Sequence, residues 1–307
     1  MAHAAGPLAS VVIPAWNAAA TITGAIDSAL QQDGVVDVVV VDDGSTDSTV
    51  QLAEAVTDAR VMVIHRSHTG VCAARNAGAR AARGEWLIFL DADDELLPGA
   101  VAALAGDAHP SVVLACGRVR RTWRDGTQTI TELPDPGLPL LQPLLAGSFA
   151  VRASTFAAAG GYDERLAFGE NTDLGIRLRR LSPASSSVRL VDIVVATIRS
   201  DASVERSAAY SERVVRAAYH FLEHHDATLD AMRVRAQYAA VGGVAAARLR
   251  RWGEARRFFQ RAVASGDRRW SDAGRLAVAL LPGIRSLVWS PAQPAGRARL
   301  QRRRSHS

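Results

Sequence analysis

Three aspartates that follow one apolar run are the residues with the clearest chemical potential. Asp91, Asp93 and Asp94 come directly after residues 86–90, an apolar segment that predicts a buried β-strand. Two carboxylates about 4 Å apart repel by roughly 4 kcal/mol at an effective dielectric near 20, and a divalent cation, which prefers oxygen ligands, reverses that repulsion. A helix cap at Asp94, before a helix over residues 98–104, explains one aspartate but not the other two. The spacing therefore favours metal or diphosphate binding.

The aspartates end one strand of a repeated strand–helix pattern in the first part of the chain. Short apolar runs rich in β-branched residues alternate with amphipathic stretches of helical length. The predicted strands are residues 10–14, 35–41, 61–64 and 86–90, and the predicted helices are residues 19–31, 45–56 and 71–82. This alternation is typical of a doubly wound α/β domain, which binds ligands beyond the carboxyl ends of its strands.

The pattern changes after residue 110 and again after residue 201. The middle segment predicts a strand at 112–115, a hairpin of residues 118–123 and 127–131, a proline-rich loop at 134–143, a strand at 149–152, helices at 154–159 and 172–181, and a strand at 188–198. From residue 202 to about residue 259 only helical patterns occur, with a weak resemblance to one tetratricopeptide-like helix pair. Residues 291–307 are too polar and too basic to pack.

Composition indicates a soluble globular protein. The chain has 307 residues, of which 48% are apolar and 22% charged, and no apolar run approaches the ~20 residues that span a bilayer. Residues 1–10 lack the basic and apolar regions of a secretion signal. Cys72 and Cys116 lie in apolar surroundings, which predicts reduced, buried thiols and a cytoplasmic protein.

The charge is unevenly distributed along the chain. All 36 basic residues are arginine. The chain up to Asp230 contains 19 arginines and 28 acidic residues, and the rest contains 17 arginines and only three acidic residues. Such asymmetry predicts a polyanionic partner for the C-terminal part, either membrane lipid or nucleic acid. Aromatic residues that could stack on bases are sparse there, so no nucleic acid is expected. A solvated basic extension with no partner is the competing interpretation.

Four segments, in order, carry a family resemblance. They are Val-Val-Ile-Pro-Ala-Trp-Asn at 11–17, Val-Asp-Asp-Gly-Ser-Thr-Asp at 41–47, Ala-Arg-Asn-Ala-Gly at 74–78, and the aspartates at 91–94. Together they resemble the family 2 glycosyltransferases, inverting enzymes of the GT-A fold, over residues 10–181. The resemblance implies a mixed α/β sheet with a Rossmann-like nucleotide-binding half, followed by a helical region. The expected divisions are a transferase domain at 1–201, a helical domain at 202–290 and a basic tail at 291–307.

The resemblance implies a pocket for the nucleotide base. Asp43 matches the residue that accepts hydrogen bonds from the base, while Pro14 and Trp16 match the walls of that pocket and Asn17 lies beside them. A carboxylate with an aromatic wall suits a planar base that carries N–H donors. Turn formation by the Asp-Gly-Ser sequence is the structural alternative for Asp43.

The resemblance also implies a diphosphate and metal site. Asp93 matches the direct ligand of Mn²⁺ or Mg²⁺, and Asp91 matches a second ligand that lies nearer the ribose or sugar. Arg75 matches a residue near the sugar-nucleotide, where a guanidinium could neutralise the acids or hold a diphosphate. Surface ion pairing is the competing interpretation of Arg75. His65 and His68 are interpreted as solvated loop histidines.

The position of the catalytic base departs from the family. The family places a Glu-Asp pair at the start of a helix, but this chain has Glu170 followed by Asn171. An amide cannot accept a proton at neutral pH, and general-base catalysis is typically a 10²–10⁴-fold effect. Three hypotheses stay open: Glu170 is the base, Asp173 is the base, or the protein binds sugar-nucleotide as a sensor or scaffold and transfers slowly or not at all.

The remaining expectations concern substrates and location. The processive Gln-x-x-Arg-Trp motif is absent from the sequence, so transfer of one hexose-type sugar is implied. The implied donor is a nucleotide-diphosphate sugar, with a UDP-sugar first, and the implied acceptor is a cell-envelope, polysaccharide, natural-product or lipid-linked glycan. The arginine-rich C-terminus predicts peripheral contact with the anionic inner face of the membrane.

Overall fold

The structure is a computed structural model that describes residues 9–106, 109–133, 144–182, 185–200, 207–225 and 229–264, together with residues 274, 275, 277 and 279. The chain divides into two units between Ser200 and Asp201. The proline-rich segment at 134–143 and the basic segment at 291–307, both singled out in the sequence, lie outside the described residues.

A mixed β-sheet organises the first unit. Its strands are β1 (Ala9–Ala15), β2 (Val35–Asp42), β3 (Val61–His65), β4 (Trp86–Phe89), β5 (Glu95–Leu96), β6 (Leu114–Trp123), β7 (Gln128–Ile130), β8 (Phe149–Arg152) and β9 (Val188–Ser200). Their order across the sheet is β3-β2-β1-β4-β8-β6-β9-β5, and β7 pairs with β6. The β3-β2-β1-β4 portion is parallel, as in nucleotide-binding α/β folds, whereas β8 runs antiparallel to both β4 and β6.

Helices cover both faces of this sheet. They are α1 (Ile22–Leu30), α2 (Thr49–Glu54), α3 (Val71–Ala81), α4 (Ala100–Ala105), α5 (Ala153–Ala158) and α6 (Glu170–Leu181). Because side chains alternate along a strand, Val11 and Ile13 of β1 share a core with α1 and α4, while Val12 shares a core with α3, α5 and α6. The predicted fold class, a GT-A-type mixed α/β sheet with a Rossmann-like half, is confirmed in this arrangement.

Helix α3 approaches the sheet closely because of one glycine. A Cβ atom on Gly78 would lie 2.3 Å from Cγ1 of Val12 and 3.1 Å from Cγ2 of Val41. Only a residue without a side chain lets the helix axis come this near to β1 and β2. The close contact fixes the position of Arg75, one turn earlier on the same helix.

The structure does not have the helix cap that is the structural alternative for Asp94. Helix α4 begins at Ala100, and its cap position is Gly99 in the left-handed region at φ 79°. The Asp94 side chain instead accepts a hydrogen bond from the backbone N–H of Arg199 in β9, at 2.8 Å. The short strand β5 separates Asp94 from α4, and two residues are too few to show the alternating pattern that predicts a strand.

The second unit contains three described helices, α7 (Ala208–His224), α8 (Leu229–Arg248) and α9 (Trp252–Ala264). The rings of Phe221 and Tyr238 stack at 3.7 Å between α7 and α8, and Tyr219 packs against Phe258 of α9 at 4.8 Å. Glycines on α8 permit this packing, since a Cβ on Gly243 would lie 2.5 Å from the ring of Phe259. Each described helix is too short or too polar to span a bilayer.

Candidate functional site

The carboxyl ends of β1, β2 and β4 meet at one edge of the sheet. Trp16 follows β1, Asp43 follows β2, and Asp91 and Asp93 follow β4. Strand order reverses at β1, because β2 lies on one side of it and β4 on the other. Such a reversal opens a crevice for ligands between the loops. The structure therefore brings these predicted site residues to a common edge.

Asp43 is buried and its carboxylate organises the loop before α3. One oxygen accepts from the backbone N–H of Thr69 and the other from that of Gly70, each at 2.8 Å. The imidazole Nδ1 of His68 lies 3.1 Å from the same carboxylate. The ring of His68 packs against Trp16, which is 55% exposed, with ring centroids 4.8 Å apart. This arrangement presents an open aromatic surface beside Asp43, which suits a planar base.

Asn17 and Asp42 shape the neighbouring turn. The side-chain oxygen of Asn17 accepts from the backbone N–H of Thr46 at 2.8 Å, and Asn17 itself adopts a left-handed φ of 50°. Asp42 accepts from the backbone N–H of Ser45 at 3.1 Å. Pro14 is buried within β1, opposite Val41 of β2. Asn17 thus ties the loop after β1 to the loop after β2, a structural role that the sequence did not indicate.

Arg75 connects the loop after β4 to the start of α6. Its guanidinium is buried, donates from Nη2 to Oδ1 of Asp91 at 2.6 Å and donates from Nη1 to Oε1 of Glu170 at 3.0 Å. Burial by itself opposes the charge, but the neighbouring carboxylates, Asp91 first among them, keep the pKa of Arg75 well above its usual value. The surface ion pair considered for Arg75 is therefore excluded by its burial, since its side chain is only 3% exposed.

Tyr162 connects Arg75 to Asn171. The Arg75 guanidinium lies 5.3 Å from the centroid of the Tyr162 ring, and the Tyr162 hydroxyl donates to Oδ1 of Asn171 at 2.8 Å. Burial is the main cause that raises the pKa of Tyr162, so its hydroxyl stays a donor. Asn76 holds the tyrosine backbone in place, accepting from its N–H at 2.8 Å and donating to its carbonyl at 2.9 Å.

The three aspartates after β4 have different environments. Asp91 is half-buried and pairs with Arg75, Asp93 is exposed, and Asp94 is buried. Desolvation and the charge of Asp91 raise the pKa of Asp93. Burial, followed by the charge of Asp91, raises the pKa of Asp94 to about 9. The possible ligands of this cluster are all oxygen atoms, and the charge of Asp91 acts on both neighbours, which fits a hard divalent cation at Asp91 and Asp93.

Helix α6 places Glu170 against Arg75 and pairs Asp173 with Arg177. Glu170 is the first residue of the helix, after Gly169 at a left-handed φ of 75°. Asp173 is buried and pairs with Arg177 at 2.6 Å, and Arg177 also donates to the carbonyl of Gly161 at 2.5 Å. These bonds fasten α6 to the preceding turn, so Asp173 has a structural partner where the base hypothesis needs a free oxygen.

Sequence reasoning missed three residues that build the site. His68, interpreted above as a solvated loop histidine, has an exposed side chain that also packs against Trp16. Asn76 lies in the Ala-Arg-Asn-Ala-Gly segment without an assigned role, and Tyr162 lies in none of the segments described above. A histidine two residues before the glycine that starts α3 was the available signal for the first. No local pattern marks the other two, because Tyr162 and Asn76 are 86 residues apart in sequence.

Comparisons with known proteins agree with this geometry. The model of the family described as glycosyl transferase family 2 matches residues 10–159, which confirms the resemblance stated above. The succinoglycan biosynthesis protein ExoO of Rhizobium meliloti is 50% identical over 94 residues, covering 30% of this chain and 27% of that protein. A PGL/p-HBAD biosynthesis glycosyltransferase of Mycobacterium tuberculosis is 40% identical over 115 residues, covering 35% of this chain and 45% of that protein. The match thus spans less than half the length of these relatives.

Solved structures show the same fold at low identity. Staphylococcus aureus TarS 1–349 in complex with UDP-GlcNAc has a TM-score of 0.60 at 16% identity, covering 88% of this chain and 90% of that one. The mannosyltransferase PcManGT from Pyrobaculum calidifontis, in complex with GDP-Man and Mn²⁺, has a TM-score of 0.56 at 18% identity, covering 92% and 83%.

Proposed function

We propose that this chain, in which residues 10–159 match the model of glycosyl transferase family 2, transfers one hexose-type sugar, with inversion, from a nucleotide-diphosphate sugar to an acceptor hydroxyl. The observation that carries the proposal is the bridge made by Arg75. One buried guanidinium holds Asp91 at the end of β4 and Glu170 at the start of α6. The first belongs to the proposed donor half of the site and the second to the proposed acceptor half.

The donor half is proposed to run from Trp16 to Asp93. The base packs against Trp16 and His68, with Pro14 behind them, and Asp43 holds this wall in place while offering its remaining lone pairs to the base. Asp91 and Asp93 would hold Mn²⁺ or Mg²⁺, and the ion would supply positive charge against the diphosphate of the leaving group. The complexes of two structural relatives with UDP-GlcNAc and GDP-Man support a nucleotide-sugar donor, and we place a UDP-sugar first.

The acceptor half is proposed to centre on Glu170. Its Oε1 is held by Arg75, and among the described residues Oε2 has no hydrogen-bond donor, which leaves that oxygen to take the acceptor proton. The acceptor oxygen bonds to the anomeric carbon as the bond from that carbon to the diphosphate oxygen breaks, and the electron pair leaves with the nucleoside diphosphate. Attack from the opposite ring face inverts the configuration. The side chain of Asn171, whose Oδ1 accepts from the Tyr162 hydroxyl, offers its amide N–H groups as hydrogen-bond donors to the acceptor.

A second candidate function is sugar-nucleotide binding without efficient transfer. Two observations favour it: an amide occupies position 171, and the neighbouring Glu170 already has a cationic partner 3.0 Å away. Under this alternative the chain acts as a sensor or scaffold that retains donor recognition.

The two functions separate in one experiment. Nucleoside diphosphate release is measured from UDP-, GDP- and dTDP-sugars, with and without Mn²⁺, for the native chain, Glu170→Gln and Asn171→Asp. The transferase proposal expects metal-dependent turnover that falls by about 10²–10⁴-fold in Glu170→Gln. Glu54→Gln, a surface carboxylate paired with His65, is the matched control and keeps the native rate.

The opposite pattern supports the alternative. If the native chain binds a donor without turnover and Asn171→Asp gains turnover, the chain is a binding protein that has lost its base. A native rate in Glu170→Gln refutes the assignment of Glu170, and no binding of any donor refutes both functions. Asp173→Asn is expected to reduce stability rather than to act on turnover alone, because Arg177 loses its carboxylate partner.

The setting of the reaction is also a proposal. The named roles of the two relatives, in succinoglycan and in PGL/p-HBAD biosynthesis, support an acceptor that is a polysaccharide or a lipid-linked glycan. We place the reaction in the cytoplasm, at the inner face of the membrane, with residues 1–201 as the transferase domain, 202–290 as a helical domain and 291–307 as a basic tail.

A further inference from the structure

Helix α9 has one buried side and one strongly basic side. Ala255, Phe258, Phe259 and Ala262 are buried against the other helices of its unit. Arg256, Arg257 and Arg261 are exposed on the opposite side. These three residues are called the outer arginine face. They occupy two helical turns, so their charges lie close to one another.

Within the described part of the chain, no carboxylate pairs with the outer arginine face. Arg256 and Arg257 are exposed, and each donates from Nε to a backbone carbonyl of its own helix at 3.3 Å. The single acid of α9, Glu254, accepts from the hydroxyl of Tyr219 at 3.1 Å instead. Surfaces of soluble domains usually intersperse both signs of charge, so a face of one sign indicates a partner of the other.

The turn before α9 carries a further cation in a costly conformation. Arg250 is exposed and adopts a left-handed φ of 61°. The turn closes α8 with backbone bonds from the N–H of Arg250 to the carbonyl of Ala247 and from the N–H of Arg251 to that of Ala246. Glycine is the residue that fits this position without strain. The chain places an arginine there, which adds charge beside α9 at the expense of local stability.

We propose that the outer arginine face, together with Arg250, binds the phosphate groups of an anionic phospholipid surface. Charge complementarity supports this partner, since guanidinium groups donate several hydrogen bonds to phosphate. The sequence that follows has the same sign: residues 265–307 contain nine arginines and only two acids, Asp267 and Asp272. Clusters of arginine of this kind are attracted to anionic leaflets at about 1 kcal/mol per residue, or roughly fivefold in affinity.

The contact is adsorption on the membrane surface rather than insertion. An inserting helix needs a free apolar side, but Phe258 and Phe259 fill the core of the helical unit and are 2% and 0% exposed. A Cβ atom on Gly242 would lie 3.3 Å from the ring of Phe258 and one on Gly243 would lie 2.5 Å from the ring of Phe259, so both rings fill space beside α8. Binding by charge alone is reversible and weakens steeply with ionic strength.

The burial of these rings also disfavours nucleic acid as the partner. Proteins that bind single strands stack bases on exposed aromatic side chains, and the two phenylalanines of α9 are not accessible for that purpose. A lipid surface requires no such stacking. Phosphate recognition without aromatic contact is therefore the chemistry that this face offers.

The test compares two triple variants of the full chain. One is Arg256→Gln, Arg257→Gln and Arg261→Gln; the matched control replaces three exposed arginines of the first unit, at positions 80, 124 and 180, and changes the net charge equally. Co-sedimentation is measured with vesicles of phosphatidylcholine alone and of phosphatidylcholine mixed with phosphatidylglycerol, at the salt concentration where half of the native chain sediments. The α9 triple variant is expected to lose on the order of a hundredfold in partitioning and the control little.

Arg250→Gly separates a binding role from a structural one. Relief of the left-handed strain predicts a higher melting temperature, while loss of the cation predicts about fivefold weaker binding to the mixed vesicles. Circular dichroism confirms that each variant is folded. Equal losses in both triple variants, equal sedimentation with neutral vesicles, or tighter binding to single-stranded RNA than to the mixed vesicles at the same salt would each overturn the proposal.

Discussion

Replacement of Arg75 by methionine should reveal whether one guanidinium holds the two halves of the site together. Methionine keeps most of the side-chain volume and removes the charge, the fork of donors and both bonds to Asp91 and Glu170. Arg75→Lys is the informative companion, because it keeps the charge but not the planar fork that reaches two carboxylates at once.

The expected loss follows from the contacts. Charge-assisted hydrogen bonds contribute about 1.5–3 kcal/mol each, so two of them amount to about 3–6 kcal/mol. The bond to Asp91 is discounted because that side chain is 40% exposed and regains water, whereas Glu170 is 16% exposed and regains less. Arg75→Met also removes a buried cation, whose Nε has no partner among the described residues, and the desolvation penalty of that cation no longer opposes folding. This gain offsets part of the loss. The net expectation is a loss of about 2–4 kcal/mol.

The assay is chemical unfolding of the native chain, Arg75→Met, Arg75→Lys, Glu170→Gln and the Arg75→Met/Glu170→Gln double variant. Glu170→Gln should cost about 1 kcal/mol, because an amide oxygen still accepts from the guanidinium. The double variant should be less destabilised than the sum of the single ones, since the two residues share one interaction. A loss below 1 kcal/mol in Arg75→Met, or full additivity in the double variant, would show that the bridge does not stabilise the fold.

Four further outcomes are expected. Asp94→Asn should stabilise the metal-free protein at pH 8 and do little at pH 4. The pKa of Asp94 is raised to about 9 in the folded protein, so the folded protein loses stability as the pH rises from the pKa of the unfolded carboxyl toward 9. Thermal unfolding in chelator should therefore show effects of the substitution that differ by about 1–3 kcal/mol between the two pH values, and equal effects would contradict the prediction. Gly243→Ala should destabilise the protein by about 1–3 kcal/mol, because its Cβ would lie 2.5 Å from the buried ring of Phe259. Gly253→Ala on α9 meets open space and should stabilise the protein by up to about 1 kcal/mol. Urea midpoints that move in the same direction for both variants would refute this packing. Asn76→Ala should cost about 2–4 kcal/mol in unfolding free energy, because it leaves a buried backbone N–H without an acceptor, and a cost near zero would exclude its clamping role. Trp16→Ala should change stability by less than about 0.5 kcal/mol but weaken titrated UDP binding about tenfold or more through lost stacking, and unchanged calorimetric affinity would remove it from the base pocket.

The sequence by itself determined the layout of the first unit. Strands β1 to β4 occur within one or two residues of the predicted segments, and the hairpin turns at Asp125-Gly126 as its sequence predicts, with Gly126 at φ 85°. Apolar runs and turn residues are local signals, and strand and helix periodicities are local properties, so a single sequence carries them. The aspartates at the end of β4 were likewise visible because they interrupt an apolar run.

The tertiary structure alone decided which of those residues act together. Arg75 and Glu170 are 95 positions apart, and Arg199 finds Asp94 across 105 positions. The three aspartates look equivalent in sequence, yet one is paired, one is exposed and one is buried with a raised pKa. Burial and partner choice depend on how β8, β9 and α6 close around the nucleotide-binding half, and no local pattern encodes that closure.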